Sequence, residues 1–197
     1  MSFFDNPKNA GLAFMIVAII DIVLGGIAVI VLGAVSPAQG YNLTYYVITG
    51  IGAIICGALM LMYGMKIRNG EISAKIDILA QFVRIIGVVT IIGGIFSAAA
   101  SIALNGDLGS AVIAAIINII VGLIIIFIAS KINDGKQTTG DKIIWIILLI
   151  AFVLCLLGAI LEIISIVLII NGICDLIIYV FMLMLLFDPE VKSEMNM

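Results

Sequence analysis

The stretch IIWIILLIAFVLCLLGAILEIISIVLIINGICDLIIYVFMLMLLF, from Ile143 to Phe187, decides the fold of this chain. Glu162, Asn171 and Asp175 are almost the only polar residues in it. As one helix, rising about 1.5 Å per residue, it would be roughly twice as long as the hydrocarbon core of a bilayer is thick. The stretch therefore predicts two membrane-spanning helices joined by a tight turn at about residues 161–166.

The composition of the whole chain also indicates that most of it lies in a lipid bilayer. Of the 197 residues, 64% are apolar and 11% are charged, whereas roughly 45–50% and 25% are usual in soluble domains. So few charges cannot cover a water-soluble globule of this size. The composition excludes a soluble enzyme, a disordered chain and a secreted disulfide scaffold.

Apolar runs of about 20 residues, the length of a membrane-spanning helix, occur six times along the chain. We therefore predict an all-α, polytopic membrane protein. Its six helices form a bundle that is one integral membrane domain over residues 1–197, without a soluble domain. The predicted spans are residues 11–35, 45–65, 83–104, 111–130, 143–161 and 167–187.

The positions of the nine lysine and arginine residues predict the orientation of the chain. With six spans, all nine fall on one side, in the terminal tails or in the second and fourth connections. They are Lys8, Lys66, Arg68, Lys75, Arg84, Lys131, Lys136, Lys142 and Lys192. Because cytoplasmic loops carry the excess of these residues, both termini should be cytoplasmic in a cell membrane.

Aromatic residues cluster at the predicted helix ends, where their rings favour the headgroup level. Tyr41, Tyr45 and Tyr46 lie at the outer end of the second span. Tyr63 and Trp145 lie at the inner ends of the second and fifth spans. This arrangement agrees with the predicted span boundaries.

A shift of 65 residues superposes the second and third spans on the fourth and fifth, and predicts an internal duplication of a helical hairpin. The shift places glycine on glycine three times and Lys-Ile on Lys-Ile once. The matching pairs are Gly57 with Gly122, Lys66 with Lys131, Gly70 with Gly135, and Gly93 with Gly158. Gly70 and Gly135 each follow a lysine-bearing last turn, where glycine can stop a helix in the left-handed conformation.

The sequence lacks the residues that several kinds of functional site require. There is no histidine, the commonest metal ligand and general base near neutral pH. Cys56, Cys155 and Cys174 lie far apart in apolar runs, so we expect free thiols that pack as small apolar residues. The net charge of −3, without a basic block, gives no footprint for nucleic acid. We expect no metal, no cofactor and no nucleic-acid partner.

Four polar residues should lie deep in the spans, namely Asp21, Asn118, Asn171 and Asp175. A charged aspartate at the bilayer centre costs about 2.5–3.5 kcal/mol, so we expect these side chains to face the bundle interior. They could form a proton or cation relay, with the asparagines as neutral ligands. Alternatively they are interhelical hydrogen-bond donors and acceptors, worth about 0.6–2 kcal/mol each. Glu162 is predicted at the outer edge.

Arg84 also lies inside an apolar stretch. We expect its guanidinium to extend along the helix to the cytoplasmic lipid headgroups. The alternative is a specific contact with an anionic lipid.

Pairs of small residues four apart permit close approach of helices. They are Ala53 with Gly57, Gly94 with Ala98, and Ser97 with Ser101. Packing within the bundle is the simpler interpretation, and a homo-oligomer through these faces is the other.

We do not expect an enzyme, because the short connections contain neither a phosphate-binding loop nor an acid–base constellation. The acids of the inner loops, Glu71, Asp77, Asp134 and Asp141, are expected to be solvated. The bilayer is the expected partner. Two functions remain: a non-catalytic scaffold, accessory or stress-related membrane component, and a small permease or channel that moves protons, cations or a small solute past the midplane carboxylates.

Overall fold

A computed structural model of the chain describes residues 6–36, 38, 40–134, 139–164 and 169–197. Of the residues that the structure describes, 88% are helical, and none of them lies in a strand. In chain order the helices are α1 (Pro7–Ile20), a π-helical segment (Asp21–Ala28), α2 (Val29–Val35), α3 (Leu43–Arg68), α4 (Lys75–Asn105), α5 (Leu108–Ile132), α6 (Thr139–Ile164), α7 (Ile169–Leu186) and α8 (Pro189–Glu194).

Six of these helices are long and apolar enough to cross a membrane, as predicted. The first runs without a break through α1, the π-helical segment and α2, over 29 residues from Pro7 to Val35. The other five are α3, α4, α5, α6 and α7. Most helices extend beyond the predicted spans, because polar residues such as Asp77 and Gln81 continue the helix past the apolar run.

The position of the last turn differs from the prediction of residues 161–166. The α6 helix continues to Ile164, so Glu162 lies in its last turn. Glu162 can remain in the helix because its side chain extends away from the helix backbone into the surroundings of the helix. Ser165 lies outside the described residues, and α7 begins at Ile169.

The chain divides into two compact units. Unit 1 comprises Met1–Phe14, Tyr63–Val83 and Ile128–Met197. Unit 2 comprises Met15–Met62 and Arg84–Phe127. The unit boundaries fall within continuous helices.

An aromatic cluster forms the core of unit 1. The ring centroid of Phe14 lies 5.1 Å from that of Tyr63, 5.6 Å from that of Phe82 and 5.8 Å from that of Phe181. Tyr63 is 2% exposed, and its hydroxyl donates a 2.7 Å hydrogen bond to the carbonyl of Ile78. The Tyr63 ring is therefore covered by rings from neighbouring helices, and its place at the headgroup level stays a prediction.

Two acids expected in solvated loops lie instead in the first turns of helices. Asp141 lies in the first turn of α6 and is 6% exposed. Asp77 lies in the first turn of α4, and its carboxylate accepts a hydrogen bond from the side-chain amide of Asn133. Both differ from the prediction because the helices start before the apolar runs, and a first-turn acid is favoured by the helix dipole.

The short helix α8 is docked onto unit 1 by polar contacts and burial. Asp188 caps it by accepting from the amide of Glu190 at 3.0 Å, and Val191 is fully buried. The ammonium of Lys75 donates to the Asp188 carboxylate at 2.6 Å. The Lys192 ammonium lies 5.7 Å from the ring centroid of Trp145, whose indole donates to the α7 backbone.

The same close contact joins the two helices of three successive antiparallel hairpins. In each, a glycine on the second helix faces a backbone carbonyl on the first: Gly57 faces Ala18, Gly122 faces Gly87, and Gly172 faces Ala159. A Cβ atom on these glycines would lie 3.2, 2.6 and 2.7 Å from the three carbonyl oxygens. An isoleucine four residues after each carbonyl also packs there, and the three are Ile22, Ile91 and Ile163.

Glycine also ends two of the helices. Gly70 has φ +80°, and the following amide of Glu71 donates to the carbonyl of Lys66 at 2.9 Å, so its predicted role as a helix stop is confirmed. Gly135, its predicted counterpart, lies outside the described residues. Gly106 has φ +69° and ends α4.

Asp107 follows Gly106 directly and caps α5. Its carboxylate accepts from the hydroxyl of Ser110 at 2.5 Å and from the amides of Ser110 and Gly109 at 3.2 and 3.1 Å. These hydrogen bonds, the Ser110 hydroxyl first, lower the pKa of Asp107. The turn between α4 and α5 therefore combines a glycine stop with an acidic cap.

We expect Gly122→Ala to lower the free energy of unfolding by about 1–3 kcal/mol, the usual cost of overpacking. The new methyl group would meet the Gly87 carbonyl and force α4 and α5 apart. Reversible unfolding in mixed detergent micelles measures the effect. The matched control is Gly158→Ala, where a Cβ meets no atom within 4 Å. Equal stability of the two variants would contradict the packing described for the α4–α5 hairpin.

The docking of α8 should depend on pH through Asp188. Burial alone would raise the pKa of Asp188, but hydrogen bonds from Lys75 and the Glu190 amide outweigh it and lower the pKa below the ordinary 3.8. A lowered pKa in the folded state contributes stability that is present above the ordinary value and is lost as the pH falls through the lowered one. The fluorescence of Trp145, the one tryptophan in the chain, reports whether Lys192 stays in place.

In this titration we expect a transition on the acid side of pH 4 in the wild-type protein. Asp188→Asn should remove the transition, and Glu190→Gln should keep it, because Glu190 lies 3.8 Å from Lys75 and is 53% exposed. A transition that persists in Asp188→Asn would assign the pH dependence to another group.

Candidate functional site

Asp21 is the first residue of the π-helical segment. Its side chain is half-buried, and within the described residues no hydrogen bond or ion pair joins it. Its electrostatic neighbour is Cys56 on α3. Because π-helical turns within α-helices are rare and occur frequently at functional sites, the segment marks Asp21 as a candidate functional residue.

Two glycines bring the π-helical segment close to α3. A Cβ on Gly25 would lie 3.5 Å from the Cβ of Ala53, and one on Gly26 would lie 3.2 Å from the carbonyl oxygen of Gly50. Because the two helices are antiparallel, Asp21, four residues before Gly25, lies level with Cys56, three residues after Ala53. The Gly-Gly pair therefore sets the distance at which the carboxylate meets α3.

A cavity of about 280 Å³ lies between α3 and α4 in unit 2. The residues that line it on α3 are Tyr45, Thr49, Gly52, Ala53 and Cys56. The residues that line it on α4 are Gly93, Phe96, Ser97, Ala100 and Ser101. The two residues closest to the π-helical segment, Ala53 and Cys56, are thus also part of the cavity wall.

The cavity wall mixes hydrogen-bonding groups with apolar surface. Thr49, Ser97 and Ser101 carry hydroxyl groups, and Cys56 carries a thiol. Hydroxyls and thiols both donate and accept hydrogen bonds, so they suit a polar group of either kind. Small polar residues in an otherwise apolar helix pair are the chemistry of a binding site for a small solute.

A tyrosine cluster and the side-chain amide of Asn42 lie where the start of α3 meets the end of α4. Tyr45, a cavity-lining residue, has its ring centroid 4.9 Å from that of Tyr41 and 5.7 Å from that of Tyr46. The side-chain amide of Asn42 donates to the carbonyl of Ala103 near the end of α4 at 2.6 Å. This hydrogen bond ties the start of α3 to the end of α4.

Asn118, the other predicted polar residue of unit 2, lies in the α4–α5 contact. Its side chain packs on Gly94, where a Cβ would lie 2.8 Å from its Cγ. Its amide donates to the carbonyl of Ala114, on its own helix, at 2.9 Å. The side chain of Asn118 therefore packs between α4 and α5, and this hydrogen bond stays within α5.

Asn171 and Asp175 lie on α7 in unit 1. Asn171 is exposed and Asp175 is half-buried. Asp175 lies close to Tyr179 on the same helix, and the hydroxyl of Tyr179 lies near the thiol of Cys155 on α6. Glu162, at the end of α6, also lies within range of Tyr179.

The four predicted polar residues are thus divided between the two units, with Asp21 and Asn118 in unit 2 and Asn171 and Asp175 in unit 1. The Cys155–Tyr179 pair was not predicted. Because α6 ends at Ile164 and α7 begins at Ile169, positions 155 and 179 lie nine and ten residues from these two helix ends, whereas the predicted turn at 161–166 would pair 155 with 172. The position of the turn was the signal that could have found this pair.

The remaining predicted residues have simple surroundings. Arg84 is exposed on α4, and its contact with lipid headgroups stays a prediction. Ala53, Gly57 and Gly94 contact neighbouring helices of the same chain, while Ser97 and Ser101 line the cavity. Among the described residues, no group of three or more cysteines and acids could hold a metal ion.

Comparison with known proteins adds no relative to this picture. No protein-family model, no curated protein and no solved structure matches the chain. The roles of Asp21, Cys56 and the cavity residues are therefore argued from their own geometry and chemistry.

Proposed function

We propose that the chain is a non-catalytic, multi-pass integral membrane protein that serves as a scaffold, accessory or stress-related component of the cell membrane. The observation that carries the proposal is the use of polar side chains in separate helix contacts. Asn118 packs on Gly94 in one hairpin, and the thiol of Cys155 lies near the hydroxyl of Tyr179 in another. A solute path usually needs several donors and acceptors along one route, whereas these groups hold individual helix pairs together.

The proposed orientation places both termini in the cytoplasm. Unit 1 contains eight of the nine lysine and arginine residues, and Arg84, the ninth, is the first residue after one of its boundaries. A grouping of this kind agrees with the positive-inside rule. The six apolar helices then cross the bilayer one after another.

We also propose that the helical hairpin of α3 and α4 was duplicated to give that of α5 and α6. The match of Gly57 on α3 with Gly122 on α5 is supported by their surroundings, since each faces a carbonyl of the preceding helix and an isoleucine four residues after that carbonyl. Both copies run in the same direction, so the repeat is parallel. Gly172 on α7 has the same surroundings, although α7 lies outside the two copies.

A homo-oligomer through the small-residue faces is the proposed assembly. The lipid bilayer is the other proposed partner.

Cysteine labelling from the two sides of sealed vesicles tests the orientation. In a background with Cys56, Cys155 and Cys174 replaced by alanine, we expect Lys75→Cys and Lys136→Cys to react with a membrane-impermeant maleimide from the same side. Ser110→Cys, in the first turn of α5, should react from the opposite side. Labelling of positions 75 and 136 from opposite sides would overturn the six-span arrangement.

A small permease or channel is the second candidate function, and the observation that favours it is the cavity whose wall includes Cys56, the electrostatic neighbour of Asp21. The carboxylate has no hydrogen-bond or ion-pair partner among the described residues. A proton or a cation that crosses the membrane could therefore bind there in passing. A scaffold does not need a carboxylate that binds a passing ion. Measuring flux across the membrane therefore separates the two functions.

Proteoliposomes with a trapped pH-sensitive dye and an imposed potassium diffusion potential provide that measurement. For the scaffold, we expect the rate of acidification to equal that of protein-free liposomes. For the permease, we expect a faster rate that Asp21→Asn abolishes and that Asp107→Asn, at the exposed cap of α5, retains. A fast rate retained by both Asp21→Asn and Asp175→Asn would exclude the carboxylate relay.

A further inference from the structure

We propose that the cavity between α3 and α4 binds a small organic ammonium ion, with the negative charge of Asp21 attracting its cationic end. This binding site does not depend on whether the protein moves its ligand across a membrane. It therefore goes beyond the scaffold function proposed above.

The charge of the ligand follows from Asp21. A carboxylate within a span is costly unless a cation, a proton or water accompanies it, and no ion pair reaches it from the described residues. Arg84 is the one lysine or arginine in unit 2. Because charges interact strongly at low dielectric, the field of Asp21 acts through the Cys56 side of the wall on a cation in the cavity.

The wall of the cavity suits an ammonium group with an organic body. The hydroxyl oxygens of Thr49, Ser97 and Ser101 can accept hydrogen bonds from N–H groups. The rings of Tyr45 and Phe96 offer apolar contact and the negative face that attracts cations. An anion would meet the same hydroxyls but would be repelled by Asp21.

The size of the cavity argues against a bare inorganic ion. About 280 Å³ lies just below the range of roughly 300–1,000 Å³ for small-molecule pockets. A metal ion would leave most of this space empty, and the described residues hold no group of three or more cysteines and acids that could bind one. An amine with about ten non-hydrogen atoms fills the space better.

Entry to the cavity is open along part of its wall. Ser97 is exposed and Thr49 is half-buried, so the cavity is not sealed within the helices. A Cβ on Gly93 meets no atom within 4 Å, which means that a larger side chain at this position can occupy space without displacing a neighbour. Gly93 therefore offers a way to fill the cavity while the helices stay packed.

Protection of Cys56 from methyl methanethiosulfonate tests the proposal in lipid nanodiscs, with Cys155→Ser and Cys174→Ala removing the other thiols. The probes are benzylamine, which is a cation at neutral pH, and benzyl alcohol, its neutral match in shape. We expect benzylamine to slow modification of Cys56 at concentrations at least tenfold lower than benzyl alcohol does. Mass spectrometry of the intact chain follows the rate.

Two variants complete the test. Asp21→Asn should reduce the apparent affinity for benzylamine about tenfold or more and leave that for benzyl alcohol unchanged, while Glu162→Gln on α6 should behave as wild type. Gly93→Leu should abolish protection by both probes without lowering the melting temperature. If Asp21→Asn does not fold, the comparison of the two probes and Gly93→Leu still decide.

Three results would overturn the proposal. They are equal protection by benzylamine and benzyl alcohol, an unchanged affinity for benzylamine in a folded Asp21→Asn variant, and protection that survives Gly93→Leu. None of these readouts involves flux or orientation. Failure of the binding site is therefore distinguishable from failure of the scaffold function.

Discussion

The contact of a glycine with the backbone carbonyl of a neighbouring helix is the constraint on which the hairpins depend. In a hydrocarbon surround, apolar side chains gain little by leaving lipid for each other, so close backbone packing has to bring helices together. Gly122 and Gly172 come so near to the carbonyls of Gly87 and Ala159 that a single methyl group would not fit. The branched isoleucines beside these carbonyls, rigid at χ1, fill the contact without loss of rotamer freedom.

The candidate site follows from the same constraint. Gly25 and Gly26 allow the π-helical segment to approach α3, and this approach sets Asp21 beside Cys56. On the other side of α3, Gly52 admits the ring of Phe96, since a Cβ there would lie 2.8 Å from the Cβ of Phe96. Close packing at these glycines and open space at Gly93 together leave a cavity with polar groups in its wall.

The sequence alone was sufficient for the all-α class and the six long apolar helices, because span length and composition are local properties. The contacts of Tyr63 and Cys155 were not predictable in the same way. Tyr63 has the amphipathic ring of a headgroup residue, and only the neighbouring rings of Phe14 and Phe82 reveal its burial. Cys155 meets Tyr179 because of where the last turn lies, and an error of a few residues in a hairpin changes every pair across it. The cavity depends on which faces of α3 and α4 meet, and small-residue spacing does not specify that.

The π-helical segment has a consequence for the length of the first helix. Its hydrogen bonds join residues five apart rather than four, so it holds more residues per turn than the α-helical parts on either side. Loss of one residue that restored regular winding would rotate α1 by about 100° relative to α2. Ala18 would then turn away from Gly57, and the hairpin would lose this contact. An insertion or deletion in this segment would therefore change which face of α1 packs against α3. The number of residues between Asp21 and Ala28 fixes that face, whichever residues they are.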